Sequence, residues 1–245
     1  MTNKSFTYIK ISRQEGFAET SGIPWVDFYN GIPHKPENLL ILAGWCCQSY
    51  NRVLRHGTLG LEYICNGKTE PFSPPELYGA GDLSWVDFAD EADLDAVTEQ
   101  ELAELLYFQH KVMPLHGFSI PSLRNRYAYY SHDDDWFSRV YMERLEDILS
   151  VAEYQIRKGL KGRKRTIAPL PENFRAQLLA MFEEGAVIDF KDAGVSSVTI
   201  YPVGDRREFG GMDDIHWKLD EQREHCLESF HFWYDTSHKS WRTYK

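Results

Sequence analysis

The chain has no run of eighteen apolar residues, so nothing in it reads as a membrane-spanning helix. Its first residues, Met1 to Ile11, lack the apolar centre of a secretion signal, and the expected compartment is the cytoplasm. Cysteine is scarce: Cys46, Cys47, Cys65 and Cys226 are the only four in 245 residues. No C-x-x-C pair occurs, which removes the strongest zinc and redox signatures. Two of the four are adjacent, and adjacent cysteines bridge each other only under strain, so reduced thiols are expected. Catalytic signatures are missing as well. There is no G-x-S-x-G, no G-x-x-x-x-G-K and no H-E-x-x-H. The stretch Gly204 to Gly211 lacks the lysine and the strand–helix setting of a phosphate loop and reads as a charged turn. No cofactor is expected.

Lys and Arg are absent from residues 69–110, and this local absence is more informative than any other. Eleven acids fall there: Glu70, Glu76, Asp82, Asp87, Asp90, Glu91, Asp93, Asp95, Glu99, Glu101 and Glu104. The formal net charge of the whole chain is −10, so the rest of the chain is close to neutral. The acidic segment is interleaved with Trp85, Val86, Phe88, Leu94 and Val97, unlike a solvated acidic tail. The opposite feature is 157–165, where six of nine residues are basic. An acidic chain repels phosphates, so general nucleic-acid binding is disfavoured. Arg163, Lys164 and Arg165 remain the candidates for a local anion contact. The plainer account of this run is a helix end and linker that faces segment 82–104 of the same chain.

Apolar residues are 42% and charged residues 26%, ordinary values for a chain that buries a core. Phe6, Tyr8, Ile9 and Ile11 predict an opening strand. Gly22 to Pro36 reads as a loop. From Pro36 to His56 the apolar residues, Cys46 and Cys47 among them, recur at helical spacing and predict a helix, with a strand at Leu39 to Trp45 as the rival. Asn66-Gly67 between Leu59–Cys65 and Lys68–Phe72 predicts a hairpin. Pro71 to Gly81 predicts a loop. Thr98-x-x-Glu101 is a capping-box pattern opening a helix that Pro114 closes. Ser131 to Lys158 predicts the clearest helix, with Gly159 after it, and Pro171 to Glu184 predicts another. Strands are expected at Ala186–Phe190, Val195–Val203, Ile215–Leu219, Ser229–Asp235 and Ser240–Tyr244. The fold class is therefore α+β: helices packed on a mainly antiparallel β-sheet, the C-terminal half a helix followed by a strand meander. The organisation reads as 1–160, a mixed region with the Asn-Gly hairpin, and 166–245, a helix plus antiparallel strands. The two are separate or one continuous domain.

Ser131-His132-Asp133-Asp134-Asp135-Trp136 has a functional and a structural reading. Histidine and carboxylates suggest a metal or acid/base site, whereas a capping Ser131 with three acids in a first helical turn is a helix start. A second acidic–histidine group lies at Asp213-Asp214-Ile215-His216 and Glu224-His225, and His231 follows on a strand. A metal site joining His132, His216 and His231 is conceivable, but no spacing supports it, and no metal is assigned. Cys46 or Cys47 on an apolar helix face is packing rather than a nucleophile.

Three classes of function follow. The favoured one is an acidic interaction protein that binds, and neutralises, a basic protein partner, analogous in role to a toxin-neutralising immunity protein. Its contact residues are Trp85, Asp87, Phe88, Asp90, Glu91, Asp93 and Asp95, aromatic anchors ringed by carboxylates. The alternative is a small metal-dependent or acid/base hydrolase using His132, Asp133 and His216. A nucleic-acid-associated factor using the 157–165 run is the third.

Overall fold

The computed structural model describes residues 6–43, 53–56, 59–65, 84–111, 118–132, 137–160, 167–191, 197–205, 212–225 and 229–244. It is a mixed α+β protein with an antiparallel sheet. The strands are β1 (Phe6–Ser12), β2 (Phe17–Ser21), β3 (Leu39–Ala43), β4 (Val53–His56), β5 (Leu59–Ile64), β6 (Ser84–Asp87), β7 (Tyr127–His132), β8 (Phe137–Met142), β9 (Ala186–Asp189), β10 (Ser197–Pro202), β11 (Phe230–Asp235) and β12 (Ser240–Tyr244). The helices are α1 (Trp25–Gly31), α2 (Glu99–Lys111), α3 (Ile148–Leu160), α4 (Glu172–Glu184) and α5 (Met212–His225), with 3-10 turns at Glu91–Ala96 and Leu145–Asp147. Among the described residues no helix is long and apolar enough to cross a membrane.

All twelve strands join one sheet in the order β12-β11-β10-β9-β1-β2-β8-β7-β6-β3-β5-β4. The first strand lies in its interior, with β9 pairing on one edge (Tyr8 opposite Val187) and β2 on the other (Tyr8 opposite Ser21). Central strands are apolar on both faces. In β3, Leu39 and Ile41 join one buried cluster and Leu40 and Leu42 another; in β7, Tyr127 and Tyr129 part from Ala128 and Tyr130 in the same way. The first cluster takes in Trp25 and Phe28 of α1, Ile148 to Leu160 of α3, and Phe174, Leu178, Met181 and Phe182 of α4. The second takes in Leu102, Leu105 and Phe108 of α2, and a third joins Ile215 and Leu219 of α5 to Tyr8, Val187 and Tyr201.

This two-sided burial explains where sequence reading goes astray. A strand covered on both faces has no apolar–polar alternation, so its run mimics a helix. Within the helix expected over Pro36–His56 the described residues form β3 and β4, so the rival strand from Leu39 stands in β3, and 44–52 lie outside the described residues. In the one expected over Ser131–Lys158 the described residues are the end of β7, all of β8 and then α3: His132 pairs with Phe137 and Ser131 with Ser138, so Ser131 is in a strand and caps no helix. Its C-terminal half survives as α3, with Arg157 and Lys158 in the last turn. The strand expected at Ile215–Leu219 is part of α5. Ile215 and Leu219 are one helical turn apart and buried, while Trp217 between them is 80% exposed. The loop expected over 22–36 contains α1, a helix of seven residues begun by Pro24. The opening strand, α4 and the strands at β9, β10, β11 and β12 stand where expected. The Asn66-Gly67 turn, Lys68–Phe72, the loop Pro71–Gly81 and Pro114 lie outside the described residues.

Two glycines show how tightly the elements meet. A Cβ on Gly31 would come within 2.7 Å of the Val151 backbone, so α1 crosses α3 there at close range. Gly185 ends α4 at φ +95°, with the Gly204 carbonyl oxygen 2.1 Å from where its Cβ would be.

Candidate functional site

At the end of β6 the chain opens a cleft of about 830 Å³. Its walls come from the segment before β3 (His34, Lys35, Glu37, Asn38), the end of β6 (Asp87, Phe88, Ala89), the segment before β7 (Phe118 to Arg126), Tyr127 and Glu143. Two buried asparagines hold the walls. Asn38 Nδ2 donates to the Phe88 and Ala89 carbonyls, both at 3.1 Å. Asn125 accepts from the Ile120 amide at 2.7 Å and donates to the Phe118 carbonyl at 2.9 Å. Loops with so many backbone groups inside need such side chains to satisfy them.

Asp87 is the one acid on the cleft wall that is also buried, 7% exposed. Its Oδ1 accepts from two consecutive amides, Arg126 N at 2.9 Å and Tyr127 N at 2.7 Å. The Asp87 amide itself also donates to the carboxylate. Burial disfavours the charged form, and these amides and the more distant Arg126 charge offset only part of that, so the carboxyl is pushed up from 3.8 to about 7. Asp87 thus changes charge near neutral pH, far from an ordinary aspartate.

The cations of the cleft are mostly committed elsewhere. Lys35 Nζ donates to the carbonyls of Tyr29 and, at 2.8 Å, Ile32, at the C-terminal end of α1, and burial lowers its pKa. Arg124 takes φ of 51° in the left-handed region and holds both oxygens of Asp93 at 2.8 Å. Arg126, Glu37, Glu143 and His34 are exposed on the rim. The Tyr127 hydroxyl donates to Asp147 at 3.0 Å, and burial together with the Asp147 charge keeps it protonated well above the ordinary phenol range.

Beside the cleft lies the acidic segment. Much of its charge starts helices. Asp90 and Asp93 form a reciprocal cap for the 3-10 turn, with Asp90 Oδ1 accepting from Ala92 N and Asp93 Oδ2 accepting from Asp90 N, both at 2.9 Å. The capping box expected at the start of α2 is present: the Thr98 amide donates to Glu101 at 2.8 Å and the Glu101 amide to Thr98 Oγ1 at 3.2 Å. Glu101 also accepts from the Ser122 amide and hydroxyl. Burial tends to raise it, but these donors outweigh burial and hold its carboxyl at about 2. Asp90, Glu91, Asp95 and Glu99 remain exposed on this edge; the Tyr63 hydroxyl reaches Glu91 at 3.0 Å.

The residues singled out from sequence fare unequally. Trp85 is fully buried, stacked on Tyr129 with 5.7 Å between ring centroids, and Phe88 is 3% exposed. Neither is a surface anchor, because the apolar interleaving of the acidic segment is strand β6 within the core. Asp93 is occupied by Arg124, and Asp87 faces the cleft. Arg157 and Lys158 pair with Glu153 and Asp27, and among the described residues neither pairs with the acidic segment. Arg163, Lys164, Arg165 and Asp133 lie outside the described residues, as do Cys46, Cys47 and Cys226; Cys65 is a buried thiol. His132 ends β7 and His216 lies in α5, which packs on β10, five strands away in the sheet. His231 has one ring nitrogen with Thr199 at 2.9 Å and the other with Ser229 at 3.2 Å. Among the described residues no three His, Cys, Asp or Glu side chains are grouped to hold a metal. Sequence reasoning missed Asn38, Asn125 and the double amide at Asp87; the only outward signal was a polar Asn set directly before an apolar run.

No protein-family model matches the chain, and neither the curated proteins nor the solved structures yield a match.

Proposed function

We propose that this chain is a cytoplasmic interaction protein that binds a basic protein partner through the exposed carboxylates Asp90, Glu91, Asp95 and Glu99, and neutralises it by occupying its surface. The observation that carries this reading is a contrast between two sets of acids. Elsewhere the fold matches several carboxylates with its own cations: Glu19 with Arg139, Asp27 with Lys158, Glu153 with Arg175, and Asp189 with Arg223. On the 90–99 edge Arg124 serves Asp93, and Asp95 and Glu99 have no cationic partner among the described residues. Like charges held together on a capped, well-ordered edge repel one another, and a basic partner relieves that repulsion. The edge presents charge without aromatic anchors, so its contribution is to encounter rate and selectivity more than to buried area.

The test is association kinetics with the basic proteins that the wild-type chain captures, measured at two salt concentrations. A Glu91→Gln, Asp95→Asn, Glu99→Gln chain keeps both caps. It should associate up to about tenfold more slowly at low salt, and the deficit should shrink as salt screens the field. Equal association rates at low salt overturn the reading.

A further inference from the structure

We propose that the cleft beside β6 is a binding site for an organic cation, a guanidinium or primary ammonium group seated on the Asp87 carboxylate. This goes beyond the acidic edge and does not depend on it, because Asp87 is not part of that exposed surface.

Three features define the site. The first is shape: about 830 Å³ is the size of pockets that enclose small ligands or a single inserted side chain. The second is the carboxylate. Oδ1 is fixed by two backbone amides, so the group cannot rotate away, and among the described residues no cation of the chain is ion-paired with it. The third is the surrounding charge. Lys35 is turned to the end of α1 and Arg124 to Asp93, while Glu37 and Glu143 on the rim add negative potential. Arg126 opposes a cation but makes no ion pair with Asp87, and His34 opposes it only when protonated. The Tyr127 phenol stays neutral throughout.

A bound cation favours the ionised carboxylate, so binding releases the Asp87 proton. With the carboxyl at about 7, roughly a tenth of the free protein carries the charge at pH 6 and roughly nine tenths at pH 8. Affinity scales with that fraction, which makes binding about tenfold tighter at pH 8.

The experiment is isothermal titration of the full chain with N-acetyl-argininamide and with agmatine, at pH 6 and pH 8 and fixed ionic strength. The expected result is binding that tightens about tenfold with pH and persists in a His34→Gln chain. Asp87→Asn retains an acceptor for both amides and removes the charge, and it should weaken binding at pH 8 by tenfold or more. Asp95→Asn with Glu99→Gln should bind as wild type, which separates this site from the acidic edge. If both probes bind, the source is a protein side chain; if agmatine alone binds, the cleft takes a free small cation. Binding of neither probe at millimolar concentration overturns the proposal, as does equal affinity in Asp87→Asn. Should Asp87→Asn not fold, the wild-type pH ratio decides, and a ratio near one is refuting.

Discussion

Asp87 makes an unusual prediction about stability. In the unfolded chain its carboxyl ionises near the ordinary 3.8, and in the folded protein near 7, because burial disfavours the charge. The folded state therefore holds a proton over a pH range in which the unfolded chain has lost it. Its contribution is fully present below about 3.8 and is lost as pH rises through about 7. The whole interval corresponds to about 4 kcal/mol, more than half of it between pH 5 and pH 8. Asp87→Asn removes the titration and keeps an oxygen for the Arg126 and Tyr127 amides. The measurement is urea unfolding of wild type and Asp87→Asn at several pH values from 5 to 8. The difference between the two chains cancels every other titrating group, the histidines included. Asp87→Asn should gain relative stability steadily across that range and level off above it. Asp87→Ala is the control: it leaves two amides without their acceptor and should be less stable than Asp87→Asn at every pH, by about 1–3 kcal/mol. A difference between wild type and Asp87→Asn that does not change with pH would refute the reasoning, since it would mean that Asp87 titrates alike in folded and unfolded chains.

Other consequences can be checked by the same unfolding assay. Lys158→Met leaves Asp27, contacted at 2.6 Å and nearly enclosed, without its cation; because Lys158 is itself half exposed, a loss of about 1–2 kcal/mol is expected. Gly31→Ala places a methyl group 2.7 Å from the Val151 backbone and should cost about 1–3 kcal/mol as α1 and α3 are forced apart. Glu101→Gln weakens the acceptor for Thr98 and Ser122 and should cost about 1 kcal/mol at neutral pH. The Glu101 carboxyl is held low, at about 2, so its stabilisation is present above the ordinary 4.5 and is lost as pH falls toward 2; the cost of Glu101→Gln should vanish in the same window.

What the sequence made visible depended on how each element is buried. Helix α4 is covered on one side, so Phe174, Leu178, Met181 and Phe182 carry a clean helical period and its bounds are readable. The cap at Thr98 and Glu101 is local chemistry within four residues, and it survives in three dimensions. Strands β3 and β8 lie inside a wide sheet and are apolar on both faces, so their period is erased and the sequence reads as helix. The same effect hid the candidate site. Asp87 was visible as an acid beside Trp85 and Phe88, and surface docking followed from that company. In the fold the two aromatics are core on opposite faces of the sheet, and Asp87, on the Trp85 face, reaches the cleft because β6 ends there. Asn38 and Asn125 stand far from Asp87 in sequence or on unrelated segments, and only the sheet brings them to one place.

The acids of this chain can be told apart by the sign of what their neutralisation does. Where a carboxylate stabilises the fold, removing its charge costs stability, as expected for Asp27 opposite Lys158 and Asp189 opposite Arg223. On the exposed 90–99 edge, removing charge relieves repulsion and should leave stability unchanged or slightly raised at low salt. Asp87 differs from both, because the fold encloses its charge without giving it a cation. Its Asn variant should be the more stable chain at pH 8 and yet the one that no longer binds a cation. Stability gained together with binding lost is the pattern of a group kept for a ligand rather than for the fold. A structural role predicts the two quantities to fall together, so measuring both on one variant at one pH decides which kind of acid Asp87 is.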